Sequence, residues 1–416
     1  MDRDLSAIKD NILREFTLRE KEFKEDIASR NDASFRRKIE GMLKVILREA
    51  RITLDDSERE DVISDIVSYF LGLGPIEKLI KDADVSEIMI NGKDAVYIEK
   101  KGNIELTDIV FNSDEQLDYF IDKIVSPMGR RVTEYTPFVD ARLRDGSRVN
   151  IVKSPISSIG PVITIRKFSH RILNINELVK LGTLSIQAAD FLKACVVARI
   201  NLLVSGAASS GKSTLLNALG SFIPEKERVI TIEDTLELCL GKKHTIPLET
   251  RSSNIEGKGE IDISALVKNS LHMRPDRIII GEVRSGEVLD MIQAMNTGHD
   301  GSMSTLHANS ALEALDRLEI LSLMGADNIS SEVAKRQIIN TIDLIVHTTR
   351  FTDGSRRVTA ISEVVKGKDY ALAEIFIFKD DPNGKGNLQY TGKAPSFYNK
   401  LKQKAGYICK EFEQIG

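Results

Sequence analysis

The chain has 416 residues, 42% hydrophobic and 29% charged, with a formal net charge of −4; it is too long for one ordinary core, so two or three domains are expected. No apolar run approaches the roughly 18 residues of a membrane span, and the N-terminus, MDRDLSAIKD, has no apolar signal-peptide core, so a cytoplasmic protein is expected. Cys195, Cys239 and Cys409 form no C-x-x-C pair, which argues against a zinc ribbon or a disulfide framework. The near-neutral charge and absence of tryptophan do not advertise a nucleic-acid protein.

Residues 1–56 are charged with mixed signs. Leu5, Ile8, Ile12, Phe16, Phe23 and Ile27 fit one helical face, and Leu43, Ile46 and Leu47 suggest a second helix, together a helical appendage. From Ser57 the pattern firms into an α+β domain expected to run to residue 166. Val62, Ile63, Ile66, Val67, Phe70 and Leu71 form a helical stripe ending at Gly72. Val85–Ile90 and Ala95–Ile98 read as strands around Asn91-Gly92, Asp108–Phe111 as another strand, and Glu115–Val125 as a helix. The far end of this domain is basic: Arg130, Arg131, Arg142, Arg144, Arg148, Lys153, Arg166 and Lys167, several of them on strand-like segments. Charge runs are usually only solvated faces, but here a phosphate site follows closely.

After a linker expected at 167–177, containing Arg171 and Asn174, strands alternate with helices from residue 178 to about 350, the pattern of a mostly parallel sheet covered by helices. Its centre is NLLVSGAASSGKSTLLNAL (201–219). The apolar strand Leu202-Leu203-Val204 breaks into Gly206-Ala207-Ala208-Ser209-Ser210-Gly211-Lys212-Ser213, a full G-x-x-x-x-G-K-[ST] phosphate loop, and a helix follows through Thr214. Gly206 and Gly211 let the backbone curl so that successive N–H groups hold phosphate oxygens. Lys212 is expected at the β- and γ-phosphates, and the Ser213 hydroxyl on Mg²⁺. The strand Arg228–Ile232 ends in Glu233-Asp234, Arg277–Ile280 leads through Gly281 to Glu282, and Ser302–Leu306 is capped by His307. Ligands of open α/β sheets sit beyond the carboxyl ends of the strands, so one cleft is expected to gather Gly206, Glu233, Glu282 and His307. The usual second acidic strand ends in Asp; Gly281-Glu282 departs from this, and the residue types alone leave open which glutamate is the base. Residues 350 onward contain hairpin-like pieces (Phe351–Ser355, Asp381-Pro-Asn-Gly) and a final basic helix within a domain expected to span 178–416.

Read together, GAASSGKST (206–214), TIEDTLEL (231–238), LETRSSNIEGKG (248–259) and MRPDRIIIGEVRSGEVLDMIQAMNTGHDGSMSTLHANS (273–310) resemble the secretion ATPase superfamily of type II secretion, type IV pilus and type IV secretion systems. LGPIEKLIKDADVSEIMING (73–92) and GRRVTEYTPFVDARLRDGSRVN (129–150) extend the match to the first domain. The chain looks most like the ATPases that assemble tight-adherence (Flp-type) pili, and the zinc-binding cysteines of many other pilus and type II secretion relatives are absent. The resemblance implies a RecA-like P-loop NTPase domain with a smaller α+β N-terminal domain. It implies an ATP- and Mg²⁺-dependent homo-hexamer at the inner face of the membrane, held there by partners. Those partners would be a polytopic inner-membrane platform protein and pilin or secreted subunits, with no nucleic acid expected. In the family the glutamate of the first acidic stretch, here Glu233, is the favoured base. Glu282 corresponds to the glutamate supporting Mg²⁺ and water, and His307 to a γ-phosphate sensor, with His299 a second histidine nearby. Arginines of the N-terminal domain enter the nucleotide site, and the corresponding positions are Arg142, Arg148 and Arg166. A nucleic-acid translocase is the main alternative; sparse aromatics in 178–350 weigh against it. A small-molecule phosphotransferase lacks a candidate lid, and a GTPase lacks an N-K-x-D motif.

Overall fold

In the computed structural model, residues 12, 15, 16, 32–100, 102–167, 173–251, 253, 258–326, 328–379 and 386–413 are described. Leu5, Ile8, Phe23, Ile27, Arg171 and the Asp381–Gly384 turn lie outside them. The chain divides into two compact units, Met1–Ser169 and His170–Gly416.

The first unit opens with α1 (Asp32–Ala50) and α2 (Asp56–Phe70). The start of α2 is set by Asp55, whose side chain accepts from the Glu58 N–H while Glu58 reaches back to the Asp55 N–H, a reciprocal cap of two orphan donors. Phe35, Ile39, Leu43 and Leu47 of α1 share one buried cluster with Val62, Ile63, Ile66 and Phe70 of α2, joined by Ile12 and Phe16. The boundary expected at residue 56 therefore falls inside an apolar core. The two stripes that look like separate amphipathic helices in the sequence cover each other.

Beyond them stands an antiparallel six-stranded sheet, order β3-β2-β1-β6-β5-β4, with β1 (Val85–Asn91), β2 (Val96–Lys100), β3 (Asn103–Leu106), β4 (Phe138–Arg142), β5 (Arg148–Val152) and β6 (Val162–Arg166). The helix Asp114–Val125, capped by Ser113, buries Leu117, Phe120, Ile121 and Ile124 in the sheet's core. No strand forms at 108–111. Thr107 ends the pairing by donating both its N–H and its hydroxyl to the Val96 carbonyl, and Phe111 enters the core from irregular chain.

The second unit is built on a nine-stranded sheet, order β15-β14-β13-β12-β7-β11-β10-β8-β9. Its strands are β7 (Leu202–Gly206), β8 (Val229–Glu233), β9 (Thr245–Glu249), β10 (Arg277–Ile280), β11 (Met303–His307), β12 (Leu344–Arg350), β13 (Arg356–Val364), β14 (Leu372–Lys379) and β15 (Asn387–Tyr390). From β12 to β9 neighbouring strands run parallel, and β13 to β15 extend one edge antiparallel. Strands β7, β8 and β10 are buried along their whole length, as expected of parallel strands covered on both faces. Edge strand β9 escapes sequence reading because it is half exposed and carries Pro247, which only an edge tolerates.

At the start of β10, Arg277 is fully buried. Its Nε donates to Glu227 Oε2 at 2.6 Å and its Nη1 to Val196 O at 2.7 Å, while Arg199 approaches the same carboxylate at 3.2 Å. Burial draws the Arg277 guanidinium below its ordinary pKa, opposed by Glu227. Removing one member of a buried pair costs more than the pair contributes, because the other charge is left unpaired. Arg277→Ala is expected to lose about 3 kcal/mol in urea unfolding, the low end of the usual range because Arg199 remains. Combining Arg277→Met with Glu227→Leu should recover part of that loss.

Candidate nucleotide site

Everything in this site lies in the second unit, at the carboxyl end of the parallel strands. Gly206 ends β7 where space runs out: a Cβ there would stand 2.3 Å from the Thr348 carbonyl and 2.5 Å from Ser210 Oγ. The turn continues through Ser209 (φ +58°) and Gly211 (φ +97°), both left-handed. The helix Lys212–Gly220 starts with Gly211 in the capping position and no side-chain cap, which leaves its first N–H groups open to an anion. From β12, Thr348 Oγ1 donates to Ser205 O at 3.1 Å and lies 2.9 Å from Ser210 Oγ. The loop thus rests on the neighbouring strand.

Lys212 is buried and folds back into its own loop. Its Nζ donates to Gly206 O at 3.1 Å, Ala207 O at 2.9 Å and His307 Nδ1 at 3.2 Å. Since an ammonium only donates, Nδ1 is the acceptor and the neutral ring carries its proton on Nε2. That nitrogen stands 2.7 Å from Glu282 Oε1. Burial, then the Lys212 charge, holds His307 below its ordinary pKa. Arg284 binds the other Glu282 oxygen at 2.6 and 2.9 Å and reaches Asp234 Oδ2 at 3.2 Å. A polar chain therefore runs Lys212–His307–Glu282–Arg284–Asp234 across four strand ends.

Glu233 sits apart from this chain. It is 4% exposed, and its Oε1 accepts from the Glu237 and Leu238 N–H groups at 2.9 and 3.0 Å. A Cβ at Gly281 would lie 2.8 Å from Glu233 Cγ. The missing side chain at 281, which makes the motif look irregular in the sequence, is the room that Glu233 occupies.

The residues fit a magnesium nucleotide. Ser213 and Thr214 stand in the first turn of the helix, and buried Glu282 Oε1 has no partner among the described residues beyond the 2.7 Å contact with His307 Nε2. A water on a metal ion would satisfy that oxygen. No group of three or more His, Cys, Asp or Glu able to hold a metal ion occurs among the described residues.

His299 does not join the cluster. It precedes β11, at the opposite end of that strand from His307, and its Nδ1 meets the Ala294 carbonyl at 3.0 Å, at the end of the helix Glu287–Asn296. Sequence reading missed His347, which is buried on β12 with Nδ1 2.9 Å from Ser205 Oγ. Its one signal is a polar residue inside the apolar run LIVHTT. Burial lowers its pKa, and Lys212 adds to the effect; the Asn309 backbone and Glu313 oppose it. A histidine whose folded pKa lies below its unfolded value of about 6.5 binds fewer protons when folded. Its contribution is complete above pH 6.5 and is lost as pH falls below it. Replacing His347 by Gln is expected to flatten the decline of urea-unfolding stability between pH 7 and 5.

In the first unit, strand register aligns the basic positions. Arg142 is paired with Arg148, Arg148 with Arg166, and Arg166 with Glu87, which is paired in turn with Glu99. Directly opposed residues share a face, and like charges so placed destabilise a sheet.

A phosphate loop, acidic residues and a histidine at successive parallel strand ends, with the antiparallel extension on one edge, define a P-loop NTPase with a RecA-like core and a smaller α+β unit. The family model for type II/IV secretion system proteins matches residues 71–368. The chain belongs to that family, within the type II/IV secretion ATPase superfamily. It is 30% identical over 295 residues to the conjugal transfer protein TrbB of Rhizobium radiobacter, covering 70% of this chain and 86% of that one. Identity is 29% over 325 residues to the type IV secretion system protein VirB11 of Bartonella quintana, covering 70% and 91%. Among solved structures, the pilus retraction motor PilT with bound ADP shares the fold at 19% identity and a TM-score of 0.52, covering 82% of this chain and 87% of that one. No helix among the described residues is long and apolar enough to cross a membrane.

Proposed function

We propose that the chain hydrolyses ATP to ADP and phosphate in a homo-hexameric ring and uses the cycle to move pilin or secreted subunits through a polytopic inner-membrane platform. The observation that carries this reading is the polar chain from Lys212 to Asp234, which links four neighbouring strand ends around one phosphate loop. Such a chain gives nucleotide occupancy a direct way to shift several elements at once. In this reading the backbone of 206–211 with Lys212, Ser213 and Thr214 holds the phosphates. Glu233 accepts the proton of the attacking water, and His307 reports on the γ-phosphate. Ser213 and Glu282 would hold Mg²⁺, which would supply charge neutralisation at the phosphates. The protein works in the cytoplasm and reaches the membrane's inner face through its partners. The tight-adherence pilus is the proposed setting, supported by the sequence blocks at 206–214, 231–238 and 273–310.

The test is hydrolysis by the full chain with and without DNA, together with its mass in solution by light scattering in ATP. Six-fold mass and turnover indifferent to DNA are expected. Strong stimulation by DNA would instead make it a nucleic-acid translocase.

A further inference from the structure

Two adjacent arginines begin β13, and they do different work. Arg357 is committed to its own hairpin: it stacks over Phe351 and Phe378 at 5.0 and 5.5 Å, donates to Gly386 O at 3.2 Å and pairs with Asp353 at 3.6 Å. Arg356 is exposed and points the other way, onto the phosphate loop. Its Nε donates to Ser209 O at 2.9 Å. Its stem covers the next turn, with Cδ and Cβ 3.4 and 3.7 Å from where a Gly211 Cβ would stand. No carboxylate pairs with Arg356 among the described residues.

The bond falls on the loop's most demanding peptide. Ser209 is a non-glycine residue in left-handed conformation, a state that costs energy unless its surroundings hold it. A trans peptide sends its C=O and N–H in opposite directions. With the Ser209 carbonyl drawn outward by Arg356, the Ser210 N–H of the same peptide turns inward, toward Ala207 O at 3.4 Å. That carbonyl also accepts from Lys212, so the Ser210 N–H faces the loop's interior, where a phosphate would sit.

We propose that Arg356 is a positioning residue for nucleotide binding. From outside the loop it fixes the Ser209–Ser210 peptide so that the inward N–H is set for phosphate before the ligand arrives. Thr348, on the strand paired with β13, grips Ser210 from the same hairpin, so one hairpin braces two consecutive residues of the cradle. The proposal rests on the nucleotide-binding reading above.

The test uses the full chain, titrated with fluorescent ADP and assayed for ATP turnover. Arg356→Ala is expected to weaken ADP binding and raise the KM for ATP about tenfold, the effect of one charge-assisted hydrogen bond. Its turnover at saturating ATP should stay within about threefold of wild type, because no reacting atom is touched. Arg356→Lys, which retains a donor for the Ser209 carbonyl, should recover most of the affinity. ADP affinity within twofold of wild type in Arg356→Ala, while Lys212→Ala has lost binding, would overturn the proposal and leave the nucleotide reading intact. An affinity loss matched by lower thermal stability of the nucleotide-free protein, and not recovered by Lys, would also overturn it. Wild-type protein that binds neither nucleotide would overturn both.

Discussion

Protein carrying Glu233→Gln is expected to bind ATP as wild type does and to hydrolyse it at least about a hundredfold more slowly, the usual contribution of a general base. The amide keeps the shape of the carboxylate, and its oxygen can still accept from the Glu237 and Leu238 N–H groups that hold Oε1. The buried site therefore stays packed while the proton acceptor is lost. The competing candidate is Glu282, whose oxygens face His307 and Arg284. Its replacement by Gln is expected to act differently, raising the Mg²⁺ concentration needed for half-maximal turnover. A filter-binding or fluorescence titration with ATP, alongside phosphate release at several Mg²⁺ concentrations, separates the two. Normal turnover by the Glu233 variant would move the base role to Glu282 or elsewhere.

What the sequence reveals here follows from which features are local. The phosphate loop is legible because its glycines, lysine and serine are contiguous and flanked by an apolar strand and a helix. Glu233, Glu282 and His307 are legible because each stands at or just past the end of a strand-like segment, and the ends of parallel strands emerge on the same side of the sheet. Gly281 is locally an oddity. Its reason lies across the sheet in the Glu233 side chain, and no reading along one strand can supply it. Thr348, His347 and Arg356 stay hidden for the same cause: they reach the loop only because β12 lies next to β7, about 140 residues away in the chain. The N-terminal helices mislead in the other direction. An amphipathic stripe states that something covers it, and only the structure identifies the cover of α1 as α2.

The arginine row makes the second large prediction: catalysis needs two subunits. Charge spreads over the γ-oxygens as the phosphoryl group transfers, and an arginine delivered there contributes roughly 10³ to 10⁵ in rate. Arg148 is the central member of the row, opposed by Arg142 on one side and Arg166 on the other. It follows a turn held firmly by Ser147, which is buried, receives Leu143 N–H on its carbonyl, and bonds Asp145 through both its N–H and its hydroxyl at 2.9 Å. Arg142, whose Nε donates to Gly146 O at 3.2 Å, is tied to the same turn and is the next candidate. If the donor comes from a neighbouring subunit, Arg148→Ala protein has a sound phosphate loop and Lys212→Ala protein a sound arginine. Each alone is expected to be inactive. Mixed and allowed to exchange subunits, the two should regain part of the wild-type turnover, because some interfaces pair the intact loop with the intact arginine. Mixed assemblies, verified by mass, that stay inactive would mean the arginine acts within its own chain or that Arg148 is the wrong residue. The same mixture made with Arg142→Ala distinguishes these: recovery there assigns the role to Arg142, and renewed failure assigns the arginine to its own chain.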